Sequence, residues 1–319
     1  MKKFNVTALG EILIDFTFAG ISEQGMRLFE QNPGGAPANV LAAVKKLGGE
    51  AAFIGKVGDD MHGKFLIETI RKHGIYADSV IQDTNAFTTL AFVSLSKSGD
   101  RSFSFARKPG ADTCITKDEV DENLILNSFF FHVGSLSLTD EPAKSATLHA
   151  LKVASENGTY ISYDPNYRAP LWQSREKAIK EMRSILPYVD IIKISDEEIN
   201  LLTDCQTPQD AAAELLGKGI SCVIITMGAD GAYVATNEGE IKVDAMDVEV
   251  IDTTGAGDSF MGAFLYMVSN EGKVPKHITI ADAKRYALFA SKVSGICISR
   301  RGAINAMPTL EEVKLISDN

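Results

Sequence analysis

Apolar residues along the chain fall into two alternating rhythms. Short β-branched or aromatic runs at 4–16, 51–57, 129–134, 160–164, 189–194 and 222–227 predict strands. Between them, apolar positions recur at helical spacing over 36–47, 62–73, 141–156, 174–186, 208–217, 257–269 and 281–298. Strand and helix in turn predict a mainly parallel sheet with helices on both faces. The unbroken runs FFFHV and CVIIT read as strands buried on both sides. Two stretches depart from the rhythm. Residues 16–32 and 87–107 hold strand-like pieces, TTLAFVSL and RSFSFA across a KSGD turn, with no helix between. They predict an antiparallel appendage placed as a lid over the sheet. No repeat, low-complexity tract or linker interrupts the chain, which reads as one domain with a lid.

Composition narrows the function classes. The 319 residues are 45% hydrophobic and 23% charged, as in ordinary globular proteins. A net charge of -10 argues against nucleic acid and acidic membranes, which need a basic face. Cys114, Cys205, Cys222 and Cys297 are scattered, so reduced thiols and a cytoplasmic location are expected. No signal peptide and no eighteen-residue apolar run is evident. The five histidines lack metal-ligand spacing, and His132, ending FFFH, reads as a near-core histidine. Residues 58–65, GDDMHGKF, imitate a phosphate loop. Phe65 stands where Ser or Thr would hold magnesium, and Asp59 and Asp60 would repel phosphate. A strand–GxGxxG–helix unit is also missing, which disfavours a dehydrogenase.

Open α/β sheets bind ligands beyond the carboxyl ends of their strands. The polar residues there are Asp15, Asp164 to Arg168, Ser195 to Glu198, and Gly228. The stretch IDTTGAGDSFMGAF at 251–264 puts two glycines and an acid before a helix-like run. Glycine weakens a helix, so this turn serves a sharp connection or a ligand that approaches the backbone. Unpaired amides at a helix start attract anions. Asp258 is then either a favourable first-turn acid or a base that takes a hydroxyl proton beside the anion turn. A second stretch, GGAPANVLAAVKKLGG at 34–49, is either an ordinary loop-to-helix start or a place where a small ligand touches Gly35 and Asn39.

The two glycine motifs, in this order and about two hundred residues apart, resemble the signatures of the PfkB (ribokinase-like) family of carbohydrate kinases. GEILIDF, PGGAPANV, FIGKVGDD, FARKPGAD, HVGSLSL, DPNYRAPLW and KISDEEI resemble the fructokinase branch of that family. The resemblance spans nearly the whole chain. It implies a ribokinase-like α/β fold over 1–319, with a mainly parallel central sheet, flanking helices and a small antiparallel β lid near 16–32 and 87–107. It implies an ATP-dependent sugar kinase that converts fructose to fructose 6-phosphate. The alternatives are 2-keto-3-deoxygluconate kinase, then ribokinase or nucleoside kinase, and outside catalysis a silent sugar- or nucleotide-binding regulator.

By the same resemblance Asp258 is the base, and the backbone of Gly255, Ala256 and Gly257 forms the anion hole. Asp15, Gly35, Asn39, Arg107 and Arg168 face the sugar. Thr226, Gly228 and Gly231 lie by ATP, Glu198 orients waters on Mg²⁺, and Asp252 and Thr254 sit where members hold a monovalent cation such as K⁺. One departure stands out: Ser195 replaces the Asn of the family's N-x-x-E motif. Partners are the sugar and ATP, and the lid allows a homodimer.

Overall fold

In FFFHV, neighbouring side chains must leave opposite faces of a strand, so a buried run needs two cores. The computed structural model, which describes residues 2–95 and 101–316, has them. Phe130 packs with Ile224 and Phe264 in one cluster, and Phe131 with Ile225 and Leu151 in the other.

The strands are β1 (Phe4–Leu9), β2 (Leu13–Ile21), β3 (Arg27–Gly34), β4 (Ala51–Gly58), β5 (Val80–Asp83), β6 (Leu90–Leu95) and β7 (Arg101–Ala106), then β8 (Ser128–Val133), β9 (Tyr160–Tyr163), β10 (Ile191–Ser195), β11 (Cys222–Thr226), β12 (Ala232–Thr236) and β13 (Gly239–Val243). Nine of them form one sheet in the order β13-β12-β11-β10-β9-β8-β1-β4-β5. From β5 to β11 every pairing is parallel, and β12 and β13 close the far edge antiparallel. One core layer holds the helices Ala36–Lys46, Ala256–Asn270 and Ile280–Ile298, and the other holds Ala143–Glu156, Arg175–Ser184 and Pro208–Gly217. The expected fold class is present.

The departing segments make a four-stranded sheet in the order β3-β2-β6-β7. Its two hairpins, β2–β3 and β6–β7, are antiparallel as expected, and β2 runs parallel to β6 where they join. The KSGD turn expected at 97–100 lies outside the described residues.

Some boundaries differ from the sequence reading. The run 4–16, read as one strand, is two: β1 ends at Leu9, and β2 begins at Leu13 in the other sheet. Gly10 follows β1 where Pro37 leaves no room for a side chain: a Cβ on Gly10 would stand 2.6 Å from Pro37 Cγ. The sequence reading also omitted β5, β12, β13 and the short helices Glu122–Leu126, Ile199–Leu202 and Leu310–Leu315.

Candidate active site

The carboxyl ends of β1, β8, β9 and β10 deliver polar segments to one sheet edge, and the small sheet rises beside it. Between them lies a cavity of about 510 Å³. Asp15, Glu30 and Asn32 line it from the small sheet, and Asn166, Lys193 and Asp258 from the large one.

Asp252-Thr253-Thr254-Gly255 turns the chain into the Ala256–Asn270 helix. Asp252 Oδ1 accepts from the Thr254 amide at 2.9 Å and from Thr254 Oγ1 at 2.7 Å, while Oδ2 accepts from the Gly302 amide at 3.1 Å. Gly255 caps the helix at φ 79, a left-handed conformation that favours glycine. A Cβ there would also meet Ala303 Cβ at 2.9 Å. The amides of Gly257 and Asp258 belong to the first turn, where no earlier turn offers a carbonyl. Gly257 lets Lys193 approach: a Cβ at Gly257 would stand 3.0 Å from Lys193 Nζ. The turn therefore presents helix-start amides with a buried cation close to them.

Asp258 is buried, and its Oδ2 accepts from Asn39 Nδ2 at 2.7 Å. Asn166, held at φ 46, places Nδ2 3.5 Å from Oδ1. Burial, reinforced by the charge of Asp164, raises the Asp258 carboxyl to about 6 against the pull of Asn39, Lys193 and Arg168. A carboxyl poised there is an effective proton acceptor near neutrality. Lys193 Nζ donates to Asp164 Oδ2 at 2.7 Å, both side chains being buried. Burial works against that ammonium, but Asp164, Glu198 and Asp258 more than offset it and hold its pKa above the usual lysine value.

Most of the anticipated residues meet at this cavity. Asp15, Gly35, Asn39, Arg168, Asp252, Thr254, Gly255, Ala256, Gly257 and Asp258 all line it. The others do not. Arg107 sits behind the wall with its guanidinium spent internally: Nε donates to Asp112 Oδ2 at 2.8 Å, Nη1 to Thr139 Oγ1 at 2.9 Å and Nη2 to the Leu136 carbonyl at 3.0 Å. Glu198 accepts from the amides of Tyr167 at 2.7 Å and Ser195 at 2.9 Å. Ser195 returns the bond as a helix cap, which gives the serine of this departure a local use. Thr226 ends β11 beside Ser195 and leads to Gly228 and Gly231, farther along the same edge. A Cβ on Gly231 would lie 2.0 Å from the Val243 carbonyl oxygen, so only glycine fits. Among the described residues, no group of three or more His, Cys, Asp or Glu could hold a metal ion.

Sequence reasoning missed Lys193 and Glu11, and took Asn166 only as part of a polar stretch. A lone lysine in the apolar run DIIKI was the available signal for the first.

This arrangement matches a known family. Residues 3–310 match the pfkB family carbohydrate kinase profile. The chain belongs to that family. Probable fructokinase-5 of Arabidopsis thaliana is 41% identical over 307 residues, covering 95% of this chain and 94% of the relative. The crystal structure of fructokinase with bound ATP from Xylella fastidiosa superposes with a TM-score of 0.91 at 30% identity, covering 100% of this chain and 99% of that one. A fructokinase double mutant from Vibrio cholerae, with fructose, ADP and potassium ion bound, gives a TM-score of 0.87 at 30% identity and covers 99% of each chain. No helix among the described residues is long and apolar enough to cross a membrane.

Proposed function

We propose that the protein is an ATP-dependent fructokinase that makes fructose 6-phosphate, with Asp258 as general base. The observation that carries the reading is the buried Asp258, poised near neutrality, at a helix-start anion turn inside a cavity roofed by polar residues of the small sheet. Asp258 takes the proton of the sugar's primary hydroxyl. The freed oxygen bonds to the γ-phosphorus of ATP while the bond to the ADP oxygen breaks. The amides of Gly255 and Gly257 would stabilise the charge that develops on the transferring group, while the Ala256 amide, expected to join them, is held by the Thr253 carbonyl at 3.3 Å.

Asp15, Gly35 and Asn39 meet the secondary hydroxyls, and Arg168 reaches the sugar from the loop after β9. Arg107 supports that wall through Leu136, whose carbonyl it holds and which lines the cavity. Thr226, Gly228 and Gly231 flank ATP. Magnesium bound with ATP would offset charge on the phosphate oxygens. Glu198, which the resemblance sets by the metal, would act on it through waters. Asp252 and Thr254, both at the cavity, would hold a monovalent cation such as K⁺.

The small sheet closes over the sugar as a lid, excluding water that would otherwise accept the phosphoryl group. Phe18, Ile21, Leu28, Phe29 and Phe92 are exposed on it, an apolar surface that suits a homodimer through the lid. Four free cysteines suit a reducing cytoplasm.

One observation favours a second reading: the guanidinium of Arg168 at the cavity also suits a carboxylate, as in 2-keto-3-deoxygluconate. A substrate panel separates the two. kcat/KM for fructose should exceed that for 2-keto-3-deoxygluconate, ribose and adenosine by at least about tenfold, roughly 1.4 kcal/mol of differential transition-state binding. A preference for the keto acid would overturn the fructokinase reading.

A further inference from the structure

Glu11 stands where β1 hands over to β2, and only 4% of it is exposed. Its Oε1 accepts from the Ala36 amide at 3.0 Å, the first amide of the Ala36–Lys46 helix. Its Oε2 has no hydrogen-bond partner. Asn39, in the first turn of that helix, carries a second buried acceptor without a partner, Oδ1. Glu11 and Asn39 both line the cavity. Between them, the Glu11 carbonyl lies so close to Gly35 that a Cβ there would stand 2.5 Å from it. An unpaired buried acceptor is costly, and a hydroxyl donor arriving in the cavity would satisfy both positions.

We infer that Glu11 is a sugar-recognition residue: its Oε2 accepts a hydrogen bond from a hydroxyl of the neutral sugar beside Asn39 Oδ1, while Oε1 keeps hold of Ala36. The inference rests on the sugar-kinase reading and adds to Asp15 of the small sheet a second acidic ligand, at the start of the Ala36–Lys46 helix. The groups facing Glu11 set its charge. Burial and Asp112 push the carboxyl up to about 7, against its own backbone amide, Arg107 and the Ala36 amide. A sugar that needs the acceptor form therefore binds the anion and displaces a proton. Affinity should rise about tenfold between pH 6 and pH 8, the span over which a group titrating near 7 becomes ionised.

Calorimetric titration with fructose and other neutral sugars, at pH 6 and 8 and in buffers of different ionisation enthalpy, tests this on the full chain. Glu11→Gln keeps an oxygen for Ala36 but presents an amide that donates where Oε2 accepted. It should melt with the wild type, bind the sugar at least about tenfold more weakly at pH 8, and lose the pH dependence and proton release. Wild-type binding that ignores pH, or a variant that binds as the wild type does, would overturn the inference alone. A wild type that binds no neutral sugar would overturn the sugar-kinase reading and this inference together.

Discussion

Asn39 Nδ2 donates to Asp258 Oδ2 across 2.7 Å and so joins the first turns of two helices 219 positions apart in sequence. The bond ties the GGAPAN segment to the DTTGAGD segment at the point where the sugar's hydroxyl must lose its proton. It also lowers the Asp258 carboxyl, against the burial that raises it to about 6. The two motifs thus share one titration.

That titration gives a pH prediction. A base must be ionised to act, so kcat at saturating sugar and ATP should fall as pH drops through about 6. Asn39→Ala removes the bond that favours the anion, so its acid limb should move to higher pH. A pH–rate profile for each protein checks this. An acid limb at the same pH in both would break the link between Asn39 and the base.

Arg107 should matter most for stability. Its side chain and that of Asp112 are each 2% exposed and pair at 2.7 Å. Arg107→Ala strands a buried carboxylate, which typically costs about 3–5 kcal/mol. Urea unfolding should show a loss of that order. Arg107→Lys should restore only part of it, because an ammonium cannot serve Asp112, Thr139 and Leu136 at once. Wild-type stability in the alanine variant would contradict the internal role that the hydrogen bonds assign.

What the sequence revealed depended on how local the cause was. The turn before Asp258 was legible because two glycines and an acid ahead of an apolar helix defy helix propensity within a few residues. The helix read at 208–217 is Pro208–Gly217 because Thr207 caps it and proline opens it, both local signals. The need for glycine at position 10 was hidden, since the side chain that crowds it is Pro37, 27 positions on in sequence. The parallel β2–β6 pairing was hidden for the same reason. Lys193 was passed over within its strand, and its partner Asp164 lies 29 residues away in sequence. Arg107 was read as facing the cavity because nothing near it in sequence announces Thr139 or Leu136.

The lid should respond to the sugar. β2, β3, β6 and β7 stand beside the cavity, with Glu30, Asn32 and Val93 lining it. Hydrogen exchange in the described parts of 16–32 and 87–107 should slow when fructose is added, while β8 and β11 stay unchanged. Equal protection with and without fructose would show that the small sheet does not gate the site.

The proposed catalysis turns on Asp258, and ADP release with fructose, measured side by side for the wild type and Asp258→Asn, tests it most directly. The wild type should release ADP only when sugar is present. The variant should keep sugar binding and lose about 10²–10⁴ of kcat, as expected when a general base is removed. A variant that retains more than half the wild-type kcat would contradict the account and leave Asp258 as a helix-start acid.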